Sequence, residues 1–141
     1  MKIAILPNLT RENARETTAL ICRELQTLGA EALLEAPLET QFSGVPARFL
    51  PQDEILAQCD LVIAVGGDGS IIYAAHKAIR ADKPVLGINA GRLAFLAGLE
   101  RHELPLLRKL LSGEYETQRR MLLCAQILQD DRVLQDRKSV V

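Results

Sequence analysis

The sequence predicts the α/β class, a parallel sheet flanked by helices, and three observations carry that prediction. Apolar runs of strand length, Ile3–Leu6, Leu61–Val65 and Val85–Ile88, alternate with segments whose apolar residues recur at helical spacing. The run Leu61–Val65 has five consecutive apolar residues, the pattern of a strand buried on both faces. Two of the runs lead directly into glycine-containing loops, Gly66-Gly67-Asp68-Gly69-Ser70 and Asn89–Leu96, and the loops leaving one edge of an open α/β sheet are where ligands bind.

Taken in order, Lys2–Leu6 reads as a buried first strand, broken by Pro7-Asn8. Thr10 is placed to cap a helix in which Ala14, Thr18, Ile21, Leu25 and Leu28 recur at steps of three and four, ending at Gly29. Ala30–Glu35 is the second strand. Residues 36–52 hold three prolines and no periodicity, which reads as a surface connection. Glu54–Gln58 is at most a short helix, and Leu61–Val65 follows as the third strand. Beyond the glycine-rich turn, Ile71–Ile79 reads as a helix directing Ile72, Ala75 and Ile79 toward the sheet. Lys83-Pro84 ends that connection and Val85–Ile88 is the fourth strand.

From Glu103 to Leu111 the chain is amphipathic, and it stops at Ser112-Gly113. Its character then changes. Met121–Gln129 and Arg132–Leu134 flank Asp130-Asp131 as a β-hairpin, and Ser139-Val140-Val141 reads as the start of a further strand. A hairpin with no sheet to cover it is incomplete. The expectation is therefore an α/β nucleotide-binding domain over residues 1–113 and the beginning of a second domain over 114–141, in a chain that is the first part of a longer protein.

Composition bounds the function classes. The 141 residues carry 48% hydrophobic and 25% charged side chains, ordinary for a soluble chain with a real core. A net charge of −1 leaves no basic footprint for nucleic acid. The apolar run at the N-terminus is too short for a signal-peptide core or a membrane span, so the expected setting is cytoplasmic. Cys22, Cys59 and Cys124 are odd in number, far apart and set in apolar segments without a C-x-x-C pair, which reads as reduced core thiols.

The chemistry is concentrated in Gly66–Ser70. Glycines at 66, 67 and 69 let backbone amides approach a ligand, and the following helix turns its free amides toward the same place, which suits phosphate. A carboxylate there repels bare phosphate, so Asp68 must bind the accompanying metal, accept a hydroxyl hydrogen bond or take a hydroxyl proton. All three belong to phosphoryl transfer. The Walker A loop is excluded because Gly69 is followed by Ser70 and Ile71 without a lysine, and the dinucleotide fingerprint because Ile72 stands at its third glycine.

Other side chains carry paired readings. Ser70 either donates to phosphate or caps the helix. Asn89 either fixes its own loop or touches ligand. Arg92 is the basic residue best placed to meet phosphate from the second loop, against an ordinary exposed arginine. His76 shares a helical face with Ile72 and Ile79 and reads as a packing residue more than a catalytic one, His102 as exposed, and Arg119 and Arg120 as a solvated or interdomain face.

Together, Gly66-Gly67-Asp68-Gly69-Ser70 and, after the fourth strand, Gly87-Ile88-Asn89-Ala90-Gly91-Arg92-Leu93-Ala94-Phe95-Leu96 resemble the bacterial NAD kinase family, and Arg119–Leu122 is similar to that family's entrance to its second domain. The GGDG motif alone is shared with lipid kinases and phosphofructokinases. The second segment is the more selective part. The resemblance implies a parallel Rossmann-like sheet flanked by helices followed by a β-rich domain, and ATP-dependent phosphorylation of the adenosine ribose 2′-hydroxyl of NAD to give NADP. It also implies a divalent metal cation, taken as Mg2+, and homo-oligomers.

Carried over by residue, the resemblance makes Asp68 the group that activates the 2′-hydroxyl, Gly69 its nucleotide-contacting neighbour, Gly66 and Gly67 the phosphate-side turn, and Phe95 an aromatic lining the nucleotide pocket. Ser70, Tyr73, Asn89, Gly91 and Arg92 complete the expected cofactor-binding set, with no protein metal ligand assigned. Ala94 departs from the family's usual glycine, and Tyr73 from its usual basic residue. The family's Asn-Glu motif, expected just after Val141, is absent, so this chain alone is expected to be inactive or nearly so. The alternatives are a GGDG-type lipid or sugar kinase and a nucleotide-binding module without catalysis.

Overall fold

A computed structural model describes residues 1–130 and 132–140, with the side chains of Cys124 and of residues 133–140 outside the description. Six strands form one sheet: β1 (Lys2–Pro7), β2 (Glu31–Glu35), β3 (Arg48–Leu50), β4 (Leu61–Gly66), β5 (Val85–Asn89) and β6 (Leu99–Glu100). Their spatial order is β3-β2-β1-β4-β5-β6, and every pairing is parallel. The helices are α1 (Ala14–Thr27), α2 (Gln52–Gln58), α3 (Asp68–Ala78) and α4 (Arg108–Ser112). The expected parallel α/β sheet is present.

Side chains alternate across each strand, so the apolar runs divide between two cores. Ile3, Ile5, Leu34, Ile63 and Val65 pack with Ile21 and Leu25 of α1 and with Leu104 and Leu107. Ala4, Leu6, Leu33, Val62 and Ala64 pack with Ile55 of α2 and Ile71, Ala74 and Ala78 of α3. All six residues of β4 are buried, which is why its sequence is apolar without alternation. Each large aliphatic removed from water in this way contributes about 1.5–3 kcal/mol.

Several sequence expectations need correction. Helix α1 begins at Ala14 after Asn13, which makes no side-chain cap bond; the Thr10 amide and hydroxyl instead donate to Asn8 Oδ1 at 3.2 and 2.6 Å, a local turn that competes with capping. Residues 36–52 are not structureless: a 3-10 turn, Ala36–Leu38, leads to β3, which extends the sheet, and Phe42 is fully buried. Helix α3 starts at Asp68 and buries Ser70, Ile71, Ala74 and Ala78, while Ile79 is exposed. The helix begins three residues earlier than its apolar run suggests, and its buried stripe is one residue out of phase with the expected one, because both stripes are apolar and the packing of Ile71 over Gly87 selects this one.

The amphipathic stretch after β6 opens as 3-10 turns, Arg101–Leu107, around Pro105, which lacks an amide donor. It closes as α4 on Gly113 at φ 74°, the expected stop. Strands β7 (Leu122–Gln129) and β8 (Arg132–Val140) pair antiparallel as a separate two-stranded sheet. The expected break before Ser139 is therefore absent: β8 runs on through Val140, paired with Leu122. The expected turn residue Asp131 and the final Val141 lie outside the described residues.

Candidate functional site

The chain crosses to one side of the sheet after β1 and to the other after β4, while β1 and β4 lie side by side. In open α/β sheets the loops at such a switch point border the ligand crevice. The glycine turn stands at this point. Asn8, just beyond β1, donates its backbone amide to Val65 O at 2.8 Å and its side-chain amide to Ser70 Oγ at 3.0 Å. The first loop is thereby stitched to the first turn of α3.

Gly66 is fixed by packing as well as by conformation. Its φ is 156°, and a Cβ there would meet Ser70 Oγ at 2.3 Å and Ser70 Cβ at 2.8 Å. Gly69 is different. A Cβ added there meets nothing within 4 Å, so the fold gives no packing reason for a residue that costs a helix roughly 0.5–1 kcal/mol relative to alanine. What its missing side chain does provide is an open approach to the backbone of the first turn of α3.

Asp68 ties the two loops together. Its carboxylate accepts the backbone amides of Phe95 at 3.1 Å and Leu96 at 2.8 Å, so both oxygens face the loop after β5. A carboxylate offers about four acceptor positions, and those not taken by the two amides remain for a hydroxyl or a cation. The second loop is held from below by Asn89. This buried side chain accepts the Gly91 amide at 2.9 Å and donates to both oxygens of Glu100 at 3.2 and 3.1 Å. The Ala90 amide donates to Gly66 O at 3.0 Å. Of the two readings of Asn89, the contacts are those of a loop-fixing residue.

The expected site residues divide into groups. Gly66, Gly67, Asp68, Gly69 and Ser70 form one turn, and Asn89, Gly91 and Phe95 are brought to it through the Asp68 and Gly66 hydrogen bonds. Ser70 is buried in the first turn of α3 against Asn8, and Gly67 rather than Ser70 occupies the N-cap. Phe95 is 83% exposed, so it lies open beside the junction instead of in the core, and Arg92 is also exposed. Tyr73 is not gathered in. Five residues on from Asp68, it points about 140° away around the helix, and Lys77 Nζ sits 4.5 Å from its ring centre. His76 lies half-buried on that side, with Nε2 buried and without a protein partner.

Four contributors were not evident from the sequence. Asn8 acts through strand adjacency, which no local pattern reveals. Arg11 places its guanidinium 4.0 Å from where a Gly67 side chain would begin. A Cβ on Gly87 would strike Ile71 Cδ1 at 2.4 Å, so this glycine lets α3 lie close on β5. Glu100 both supports Asn89 and forms a reciprocal capping box with Glu103; the Glu-x-x-Glu spacing was the available signal. Among the described residues no group of three or more His, Cys, Asp or Glu could hold a metal ion, and no helix is long and apolar enough to cross a membrane.

Two thiols lie away from the site. Cys22 and Cys59 are free and buried. Burial pushes the Cys22 thiol up to about 12 and raises that of Cys59, more than the nearby Lys83 lowers it. They are core thiols, as expected, and Cys124 lies outside the residues whose side chains are described.

Residues 3–115 match the family model described as ATP-NAD kinase N-terminal domain. An NAD kinase of Coxiella burnetii is 35% identical over 133 residues, covering 94% of this chain and 44% of that protein. An NAD kinase of Caldanaerobacter subterraneus is 31% identical over 131 residues, covering 92% and 46%. The chain thus spans less than half the length of these curated relatives. In architecture it is similar to yeast NADH kinase complexed with NADH, with a TM-score of 0.76 at 17% identity, covering 99% of this chain and 46% of that one; that likeness concerns the fold alone.

Proposed function

The chain belongs to the family of ATP-NAD kinase N-terminal domains, and from that premise we propose that it supplies the loop-bearing half of a kinase site that phosphorylates the adenosine ribose 2′-hydroxyl of NAD at the expense of ATP. One observation carries the reading. Asp68 stands at the switch point with its carboxylate anchored by the Phe95 and Leu96 amides, so a single acidic group touches both loops that a nucleotide would lie across.

In the proposed reaction the 2′-oxygen attacks the γ-phosphorus, the bond from that phosphorus to the bridging oxygen of ADP breaks, and the hydroxyl proton leaves to the Asp68 carboxylate. Carboxylates are weak bases toward a ribose hydroxyl, so the chief service of Asp68 is to hold the nucleophile in line with the phosphorus. Gly67 and Gly69 keep the backbone open beside the phosphates. Arg11 and Arg92 offer positive charge from the loops after β1 and β5, and the open Phe95 ring offers a face to the base.

A divalent cation fits this donor set in one manner only. Mg2+ is usually held by one or two carboxylates together with substrate phosphates, and Asp68 is the carboxylate placed to share it. When bound, it would neutralise charge on the transferring phosphoryl group. The reading extends to a domain division after Gly113, with residues 114–141 opening a β-rich domain that covers the crevice, and to a homo-oligomer in the cytoplasm acting on free nucleotides, without nucleic acid or membrane partners.

The test is product formation by the purified full-length protein. With NAD, ATP and Mg2+ it should yield NADP, read with an NADP-specific dehydrogenase. Phosphorylation of diacylglycerol or fructose 6-phosphate with no NADP formed would overturn the assignment, as would nucleotide binding without any product.

A further inference from the structure

The face of α3 turned away from the crevice borders an open cleft of about 820 Å3 against α2. Tyr73, His76, Lys77 and Arg80 line one side, with Lys83 beyond them and Asp53 across the opening. Three cationic side chains therefore oppose one carboxylate. Among the described residues neither Arg80 nor Lys83 makes an ion pair. Lys77 donates to Gln52 Oε1 at 2.5 Å while lying over the Tyr73 ring, and Gln52 in turn donates to the Glu35 carboxylate behind it. His76 lines the same cleft, and its buried Nε2 has no protein partner.

Unpaired positive charge gathered in a concavity focuses anions, and an orphaned buried nitrogen is a group that a ligand can satisfy. We propose that this cleft is a second anion site, separate from the crevice at Asp68, and that its occupant carries a diphosphate. Arg80 and Lys83, which make no ion pair among the described residues, give the lining two cations for such a group, and the cleft is of a size that takes drug-sized ligands. Arg80 can meet phosphate oxygens in bidentate fashion, with Lys83 as a point charge beside it. The diphosphate could come free or as part of a nucleotide, and the exposed Tyr73 ring is available to a base in the second case.

The experiment is amide NMR of the 15N-labelled full-length protein, titrated at constant ionic strength with inorganic pyrophosphate and separately with ADP. Saturable shifts are expected in the segment Tyr73–Lys83. The double variant R80Q/K83Q should weaken them by about tenfold or more, since charge-assisted hydrogen bonds are lost, while leaving any shifts at Gly67–Ser70 unchanged. Tighter binding of ADP than pyrophosphate identifies a nucleotide as the source, and equal binding a bare diphosphate. Shifts confined to Gly67–Ser70 and Phe95–Leu96, or wild-type affinity at Tyr73–Lys83 in the double variant, would overturn the proposal.

Discussion

The carboxylate of Asp68 accepts the amide of Leu96 at 2.8 Å across 28 residues of chain. With the Phe95 amide beside it, this contact makes the acid the mechanical link between the loops after β4 and β5. Its placement serves geometry and chemistry through the same atoms.

Asp68→Asn should separate the two services. The variant keeps a similar shape but sets an amide group against a backbone N–H, costing at most about 1–3 kcal/mol of stability. In the full-length protein its kcat should fall by about 10²–10⁴-fold, with much smaller changes in the binding of ATP and NAD. Near-normal turnover, measured by NADP production in steady-state assays, would remove Asp68 from the reaction.

Gly66 and Gly69 should respond oppositely to the same substitution. Gly66→Ala forces a Cβ onto Ser70 at 2.3 Å, and overpacking of this kind costs roughly 1–3 kcal/mol. Gly69→Ala has open space and should stabilise α3 by roughly 0.5–1 kcal/mol, yet weaken nucleotide binding by narrowing the approach. Urea denaturation of both variants, with calorimetric titration of ATP into the second, reads the difference.

Asn89→Ala leaves the Gly91 amide and the Glu100 carboxylate without their partner and should lower stability by about 1–3 kcal/mol. Asn89→Asp keeps an acceptor for Gly91 but places a second carboxylate against Glu100, so it should fail to restore the wild type. Hydrogen exchange at the Gly91 amide should accelerate in the alanine variant, and unchanged protection there would show that the loop is held by other contacts.

The Cys22 thiol predicts a pH dependence of folding. Its value rises from 9.0 to about 12 because burial disfavours the thiolate. Between those values the unfolded chain has released the proton and the folded chain has kept it, so the unfolded state binds fewer protons and stability falls as pH rises. The loss, roughly 1.4 kcal/mol for each pH step in that window, is absent below it. Cys22→Ala should therefore lose less stability than wild type between pH 8 and pH 10.5 in urea melts. Equal losses would show that Cys22 is not responsible.

Much of this protein is written locally. The five apolar residues of Leu61–Val65 can be read as a two-faced buried strand because burial on both sides leaves no place for polar groups, and GGDG announces a ligand turn because three glycines in four residues open the backbone while a carboxylate stands where phosphate oxygens would approach. The short strands β3 and β6 are not legible, since Arg48–Leu50 and Leu99–Glu100 gain their extended form from pairing with β2 and β5 rather than from their own pattern. The phase of α3 is misread for a related reason: Ile71, Ala74 and Ala78 and the neighbouring stripe Ile72, Ala75 and Ile79 are equally apolar, and packing against β5, where Gly87 leaves room for Ile71, selects the first.

Hydrophobic periodicity and glycine placement act over a few residues, so the class of fold and the acidic turn are legible in the chain alone. Which distant groups meet that turn is settled by packing. Asn8 reaches Ser70, Asp68 reaches Phe95 and Leu96, and Tyr73 faces away from all of them, because strand order and helix rotation are properties of the packed sheet and have no local spelling.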